Sequence, residues 1–299
     1  MTKASYTVLE DRGVLEIGGA DRREFLQGLI SNDTRKLSGA RALYAAFLTP
    51  QGKYLHDFFL AEAGETLLLD GERARLADLK RRLSIYRLRA KVTIEEASER
   101  FLVVAGFGAD ALGKLGIGAE AGTATAFGGG IAYVDPRLPA LGARLLLPRA
   151  EGTATLDAKG FARADADAYD RLRLSLGIAD GSRDLAVEKA ILLEAGFDEL
   201  NGVDWDKGCY IGQELTARTK YRALIKKRLM PVKVEGPLPA PGSAVMLGDQ
   251  EAGEIRSGSG DMALALLRLE AVEAAAKDGT PLTAGTARVS PIKPGWAKF

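Results

Sequence analysis

The segment Asn201-Gly-Val-Asp-Trp-Asp-Lys-Gly-Cys-Tyr-Ile-Gly-Gln-Glu214 carries more chemical information than any other part of the chain. Its fourteen positions hold a thiol, an ammonium group, three carboxylates, side-chain amides and three glycines. Glycine lets a backbone approach a ligand closely or adopt a positive φ. This composition is unlike that of an ordinary core segment and indicates a functional site.

Lys207 and Cys209 are the pair of residues in this segment that point most directly to chemistry. In an extended conformation, side chains two positions apart lie on one face, so we expect the ammonium group beside the thiol. A nearby cation favours the thiolate, which is the form that acts as a nucleophile or metal ligand. Gln213 and Glu214 add polar groups that can orient a substrate or hold a proton. The simpler alternative is that a lone cysteine is a small buried hydrophobic residue, and composition leaves both interpretations open.

The numbers of cysteine and histidine residues restrict the possible metal chemistry. The chain contains one cysteine, Cys209, and one histidine, His56. It therefore cannot form an intramolecular disulfide, a four-cysteine cluster cage or a typical zinc site. A cluster bound to this protein would have to be shared with a partner, because the chain supplies at most one thiolate.

The pattern of hydrophobic residues predicts an α+β protein with more than one domain, since 299 residues exceed the usual size of one core. Val14–Ile17 is a predicted strand, and Asp21 begins a capping-box-like helix start before the apolar stripe Phe25–Ile30. Thr49–Gly52 is a predicted turn between paired strands. Short, proline-punctuated segments near the C-terminus predict a small β-barrel. We expect two α+β domains, 1–100 and 101–225, and a barrel at 226–299.

Charge and hydropathy favour neither a nucleic acid nor a membrane as a general partner. The chain has 41 Lys and Arg residues against 40 Asp and Glu residues, so any such binding must be local. Its apolar runs are too short to cross a bilayer. The first residues lack the apolar region of a secretory signal and are acidic at Glu10 and Asp11. These features predict a cytoplasmic protein without membrane contact.

A family resemblance extends over nearly the whole chain. The segment Lys207-Gly-Cys-Tyr-Ile-Gly-Gln-Glu214, which we call the cysteine signature, resembles that of the YgfZ-type folate-binding family, a relative of the glycine-cleavage T-protein (GcvT, an aminomethyltransferase). Further segments similar to this superfamily are Phe25–Asp33, Leu48–Lys53, Glu194–Asn201, Leu215–Arg218, Arg228–Leu229 and Ala252–Gly258.

The resemblance implies a fold and a function. The fold is α+β and T-protein-like, with three domains in a cloverleaf around a central folate channel and a small C-terminal β-barrel. The implied function is that of an accessory protein for assembly or repair of [4Fe–4S] clusters in client enzymes, with an influence on tRNA modification through such clients. The implied cofactor is tetrahydrofolate or a derivative. The implied partners are folate and iron–sulfur client or assembly proteins.

The resemblance also implies roles for individual residues. Lys207, Cys209, Gln213 and Glu214 match the functional core of the family. Glu194 is similar in position to the T-protein acid that contacts the pterin ring, and Arg228 is a candidate to pair with the folate tail, because a guanidinium binds carboxylates bidentately. Further candidate cofactor contacts are Gly208, Tyr210 and Gly212.

Two other functions stay open at the level of sequence. One is a tetrahydrofolate-dependent aminomethyl or methyl transferase that uses an acid such as Asp70 or Glu194, although Asp70 and Asp78 lack the asparagine-rich setting of the T-protein aspartate. The other is an RNA-binding module without chemistry, acting through the basic run Lys220–Arg228. His56 is either a base for Cys209 or an imidazole satisfied by a local hydrogen bond.

Overall fold

The computed structural model describes residues 3–222 and 225–299 and divides the chain into two compact units. The first unit contains residues 3–48, Leu55–Tyr169 and Leu200–Ile211. The second contains Thr49–Tyr54, Asp170–Glu199 and the described residues of Gly212–Phe299. Both units are discontinuous, whereas the domains predicted from sequence are continuous, and that three-domain division stays a prediction.

Strands supply most of the regular structure. The strands are β1 (Ser5–Val8), β2 (Arg12–Gly18), β3 (Leu43–Leu48), β4 (Tyr54–Ala63), β5 (Thr66–Glu72), β6 (Thr93–Glu96), β7 (Phe101–Phe107), β8 (Ala124–Phe127), β9 (Gly130–Val134), β10 (Ala143–Pro148), β11 (Ala162–Arg163), β12 (Lys227–Glu235), β13 (Ala244–Leu247), β14 (Gln250–Ser259), β15 (Met262–Arg268), β16 (Leu282–Ala284) and β17 (Ala287–Pro291).

The helices are short. They are α1 (Arg22–Gln27), α2 (Leu76–Ile85), α3 (Ala111–Leu115), α4 (Ala154–Ala158), α5 (Ala166–Ser175), α6 (Gly181–Asp184), α7 (Gln213–Tyr221) and α8 (Leu269–Asp278). Single 3₁₀ turns occur at Thr34–Lys36, Arg73–Arg75, Pro139–Leu141 and Leu192–Ala195. None of the helices in the described residues is long and apolar enough to cross a lipid bilayer.

The first unit is built on two sheets. One has five strands in the order β3-β4-β5-β2-β6, and the other has six in the order β11-β1-β7-β10-β9-β8. The β2–β5 pair is antiparallel, with Leu15 opposite Leu69 and Ile17 opposite Leu67, and all four side chains are buried. Continuous burial along β3 reflects an almost wholly apolar sequence. The predicted strand at Val14–Ile17 is therefore confirmed as the middle of β2.

Helix α1 differs from its predicted form at both ends. The side chain of Asp21 makes no cap hydrogen bond to α1, and it accepts instead from the backbone amide of Lys91 at 2.7 Å. The capping box is therefore wrong, because a partner distant in sequence takes the carboxylate. The helix also stops at Gln27, and Ile30 forms a β-bridge with Phe47 instead of a further helical turn. The resulting chain reversal leaves carbonyl groups at the end of α1 that need donors.

The second unit contains the predicted barrel. Six strands close in the order β12-β15-β14-β13-β16-β17, around a core that includes Val232, Val245, Ile255 and Leu267. Closure removes the exposed sheet edges that short strands otherwise present. The turn predicted at Thr49–Gly52 also belongs to this unit: the amide of Gly52 donates to the carbonyl of Thr49 at 2.8 Å, and Gly52 has a φ of 69°.

Candidate functional site

Lys207 is buried and anchors the loop that carries the cysteine. We call residues Leu200–Ile211, the last segment of the first unit, the cysteine loop. The Lys207 side chain is 4% exposed and donates to the carbonyl oxygens of Gln27 and, at 2.8 Å, of Ile30. A cation at the carbonyl end of a helix is favourable, because the helix dipole is negative there. Lys207 therefore provides the donors that the end of α1 lacks.

The backbone of the cysteine loop is held at the same point. The side chain of Gln27 donates to the carbonyl of Lys207 at 3.1 Å, and Arg35 donates to that carbonyl at 3.1 Å. The Gln27 side-chain oxygen accepts from the amide of Thr34 at 2.8 Å, which fixes its orientation. The Lys207 ammonium also lies 4.8 Å from the centre of the Tyr210 ring. Burial lowers the pKa of Lys207 to about 8. The lysine is thus a positioning residue with partners on two sides.

Cys209 has a different environment from Lys207. The cysteine is exposed, and Gly208 between them has a φ of 90°, which interrupts an extended backbone. The predicted placement of the two side chains on one face is therefore wrong, since that argument required an extended conformation. The alternative of a buried hydrophobic cysteine is also wrong. Among the described residues, apart from the two chain neighbours of Gly208, no atom lies within 4 Å of the position that a Cβ at Gly208 would take. The loop therefore borders open space at Gly208.

The end of the cysteine signature belongs to the second unit. Gly212, with a φ of 82°, precedes α7, and Gln213 and Glu214 form its first turn. Glu214 is exposed and pairs with Arg218 at 2.8 Å. The tight turn around Gly52 packs against this helix start: a Cβ at Gly52 would lie 2.8 Å from the carbonyl oxygen of Gly212. Only a glycine fits at position 52 without movement of the backbone.

Glu194 lines a cavity of about 330 Å³ inside the second unit. Burial raises the pKa of its carboxyl group, and the positive charges of Lys227, Lys53 and Arg256 act in the opposite direction. Lys189, Lys227 and Arg256 line the same cavity, and Arg256 pairs with Glu254 at 3.0 Å. The cavity thus combines a partly desolvated acid with several cations, which is a suitable lining for a ligand with both hydrogen-bond donors and carboxylates.

The guanidinium group of Arg228 already has partners within the protein. It is buried, donates to Glu199 at 2.7 Å and to the carbonyl of Leu193 at 2.9 Å, and lies 4.7 Å from the centre of the Phe299 ring. A carboxylate of the protein already neutralises this arginine, which weighs against pairing of Arg228 with a folate tail. That pairing stays a prediction. The neighbouring Lys227 lines the cavity instead.

The other candidate acids and the histidine already have protein partners. Asp70 is fully buried between Arg12, at 2.7 Å, and Arg144, also at 2.7 Å, so its carboxylate is inaccessible to a substrate. Asp78 contacts His56 at 3.0 Å, and burial lowers the pKa of His56 to about 4. This contact favours the local hydrogen bond over a role as a base for Cys209. The RNA-binding alternative falls partly on residues 223 and 224, outside the described residues.

Sequence analysis missed two features near the cysteine loop. Gln27 and Arg35, in the N-terminal part of the first unit, both donate hydrogen bonds to the Lys207 carbonyl. A second cavity of about 480 Å³ is lined by Trp205, Asp204 and Tyr44, among others. Gln27 lies in a segment that resembles T-proteins, so the signal was present in the sequence. Its partner could not be identified, because 180 positions separate the two residues.

Comparison with known proteins places the chain among iron–sulfur assembly proteins by similarity. Residues 226–299 match the model of the CAF17 C-terminal beta-barrel domain. The chain is 36% identical over 286 residues to the mitochondrial iron-sulfur cluster assembly factor IBA57 of Mus musculus, covering 89% of this chain and 78% of the relative. It is 37% identical over 284 residues to the Homo sapiens protein of that name, covering 89% and 78%.

The fold has a close counterpart of solved structure. The glycine cleavage system aminomethyltransferase T of Bartonella henselae matches with a TM-score of 0.76 and 15% sequence identity, covering 98% of this chain and 86% of the other. The predicted T-protein-like α+β fold with a C-terminal β-barrel is therefore confirmed. The predicted cytoplasmic location is contradicted, because the relatives are mitochondrial proteins. That prediction relied on the composition of the opening residues.

Proposed function

We propose that this chain, which belongs to the IBA57 family of iron–sulfur cluster assembly factors, helps to assemble or repair [4Fe–4S] clusters in client enzymes. The exposed thiol of Cys209 on an anchored loop is the observation that carries the proposal. The cluster is cargo: the chain lends one thiolate, and a partner supplies the other ligands. An effect on tRNA modification would follow through clients that need such clusters.

An anchored loop suits a cysteine that ligates a cluster iron only transiently. A thiolate that must hand over a cluster iron has to be accessible, so Cys209 is exposed where a structural cysteine would be buried. The bonds from Lys207 to α1 and from Gln27 and Arg35 to the loop backbone limit the entropy lost when a partner approaches. The loop thus presents the sulfur in a defined position without enclosing it.

We expect Cys209→Ala and Cys209→Ser to abolish the contribution of this protein to client maturation. The measurement is the activity of a [4Fe–4S] client enzyme in a strain that lacks the gene and carries each variant. Neither hydroxyl nor methyl ligates iron as a thiolate does, so activity should fall to the level of the strain without the gene. Ser175→Ala, an exposed change on α5 in the second unit, is the matched control. Full activity with Cys209→Ala would exclude a cysteine-centred mechanism.

We further propose that the cavity around Glu194 holds tetrahydrofolate or a derivative. The carboxyl of Glu194 suits the N–H donors of a pterin ring, and Lys189, Lys227 and Arg256 suit the carboxylates of the glutamate tail. The volume of about 330 Å³ is at the lower end of the range for small-molecule sites. When bound, tetrahydrofolate carries one-carbon units. Folate binding would also agree with the YgfZ-type family that the cysteine signature resembles.

We expect calorimetric titration with tetrahydrofolate to give saturable binding that Glu194→Gln weakens by about tenfold or more, because a hydrogen bond to a charged group is lost. Glu235→Gln, an exposed change on β12, should leave the affinity unchanged. Absence of binding to the intact protein, or equal affinities for the protein and its Glu194→Gln variant, would remove the folate part of the proposal and leave the role of Cys209 untouched.

A second candidate function is tetrahydrofolate-dependent aminomethyl or methyl transfer. The observation in its favour is the half-buried carboxyl of Glu194, whose raised pKa suits a group that exchanges a proton. The burial of Asp70 between two arginines weighs against it, because the other candidate acid is inaccessible. Turnover of a one-carbon donor that disappears with Glu194→Gln would favour this candidate over the accessory role.

A further inference from the structure

An exposed segment in the first unit comprises the end of helix α2 and the turn after it, and we call these residues, 84–91, the basic turn. Every residue from Ser84 to Arg89 is exposed. Three large hydrophobic side chains are among them: Ile85 is 61% exposed, Tyr86 40% and Leu88 90%. Single exposed hydrophobic residues are ordinary on protein surfaces, whereas a local cluster of them marks an interaction site. The basic turn concentrates half of the six such residues in the described chain.

The backbone of the basic turn holds Leu88 outward at an energetic cost. Leu88 has a φ of 40°, in the left-handed region that is sterically unfavourable for a residue with a side chain. Glycine or asparagine would adopt this conformation more cheaply. Strained residues are typical of places where proteins bind ligands or partners. The strained backbone and the exposed side chain of Leu88 are separate observations, and both indicate that this residue contacts a partner.

The turn is anchored at both ends. Leu79 and Leu83 of α2 are buried in the first unit, and the Tyr86 ring contacts Phe47 edge-on at 6.2 Å between ring centres. At the other end, the amide of Lys91 donates to the side chain of Asp21 at 2.7 Å. An apolar tip on such a fixed base loses little conformational entropy when a partner covers it.

The charge of this segment differs from that of the whole chain. Residues 78–91 contain six basic residues and one acidic residue, a net charge of +5, whereas the whole chain has a net charge of +1. The acidic residue, Asp78, already pairs with His56, Arg81 and Arg82. Within residues 3–222 and 225–299, no ion pair involves the cations of the basic turn itself, which are Arg87, Arg89 and Lys91. These cations are available for carboxylates of a partner.

We propose that the basic turn docks a partner protein that presents an apolar pocket edged with carboxylates. Leu88 and Ile85 would fill the pocket, and the cations would meet its rim. An RNA partner would give these aliphatic side chains no apolar counterpart. A lipid surface would gain only two aliphatic side chains at the tip, whereas stable membrane attachment needs stronger signals. The docking site goes beyond the proposed function and depends on neither Cys209 nor the folate cavity.

The test is cross-linking in cells followed by titration of the captured partner. A photoreactive amino acid replaces Leu88 in one version and Leu238, another exposed leucine, in the control. We expect a protein adduct at position 88 that is absent at 238. The captured protein, once purified, should bind the intact chain, and Arg87→Glu with Arg89→Glu should weaken binding about tenfold or more and reduce its sensitivity to salt. Arg163→Glu, an exposed change in the first unit, should have no effect.

Three results would overturn the proposal. They are the absence of an adduct specific to position 88, an adduct that consists of nucleic acid or lipid, and an affinity that the charge reversals leave unchanged. Titration of the same variants with tetrahydrofolate separates these results from a failure of the folate proposal, since the basic turn lies outside the cavity around Glu194. Far-ultraviolet circular dichroism of each variant establishes that the fold is retained.

Discussion

Asp70→Asn is expected to lower the free energy of unfolding of the first unit by about 3–5 kcal/mol, the range measured when one partner of a buried ion pair is removed. The carboxylate lies between two nearly inaccessible guanidinium groups: Arg12 Nε donates to Oδ1 at 2.7 Å, and Arg144 Nη2 donates to Oδ2 at 2.7 Å. The neutral amide would leave two buried cations without a counter-charge. Urea denaturation followed by circular dichroism measures the loss.

Two controls make this prediction specific. Glu120→Gln removes an exposed partner of Arg41 in the same unit and should change the free energy of unfolding by less than about 1 kcal/mol. The triple variant Arg12→Met, Asp70→Leu and Arg144→Met replaces the buried charges by apolar groups and should recover much of the loss, as in other buried ion pairs. A single Asp70→Asn variant as stable as the intact protein would contradict the structural role assigned to Asp70.

Lys207→Met is expected to release the cysteine loop from α1 and to reduce client maturation nearly as far as Cys209→Ala does. The change removes the donors to the carbonyl oxygens of Gln27 and Ile30, and each buried acceptor left without a donor costs about 1–3 kcal/mol. Hydrogen exchange should then become faster in residues 27–31 and 200–211. The rate of alkylation of Cys209 should change as well, because the loop no longer holds one position.

The matched controls separate this positioning role from a general loss of stability. Lys36→Met removes a half-exposed lysine that pairs with Asp204 at the same loop, and it should leave hydrogen exchange around α1 unchanged. Lys207→Arg keeps the positive charge and several donors and should restore part of the client activity. If Lys207→Met kept both normal exchange at α1 and full client activity, the lysine would not position the loop.

The sequence was most informative where one short segment determines the outcome. The turn around Gly52 and the strand at Val14–Ile17 were predicted correctly, because turn chemistry and short hydrophobic segments act over a few residues. The family resemblance predicted an iron–sulfur assembly factor with a T-protein-like fold, and membership of the IBA57 family confirms the assembly class. The folate ligand and the site roles stay predictions.

The prediction at the start of α1 failed because the decisive partner is distant in the chain. The capping box at Asp21 assumed a local bond, whereas its carboxylate binds the amide of Lys91. Arg228 likewise pairs with Glu199, a partner that the sequence did not indicate. A side chain that can form several equally good ion pairs or hydrogen bonds selects among them by the geometry that the fold brings together.

The sequence by itself determined the chemical limits of this protein: one thiol, one imidazole, a nearly neutral net charge and a resemblance to iron–sulfur assembly proteins. The tertiary structure alone decided that Cys209 is exposed while Lys207, two residues away, is buried against α1. It also decided that Asp70 is enclosed by Arg12 and Arg144, which lie 58 and 74 positions away. Residue types set which bonds are possible, whereas long-range packing sets which groups meet and which remain open to a partner.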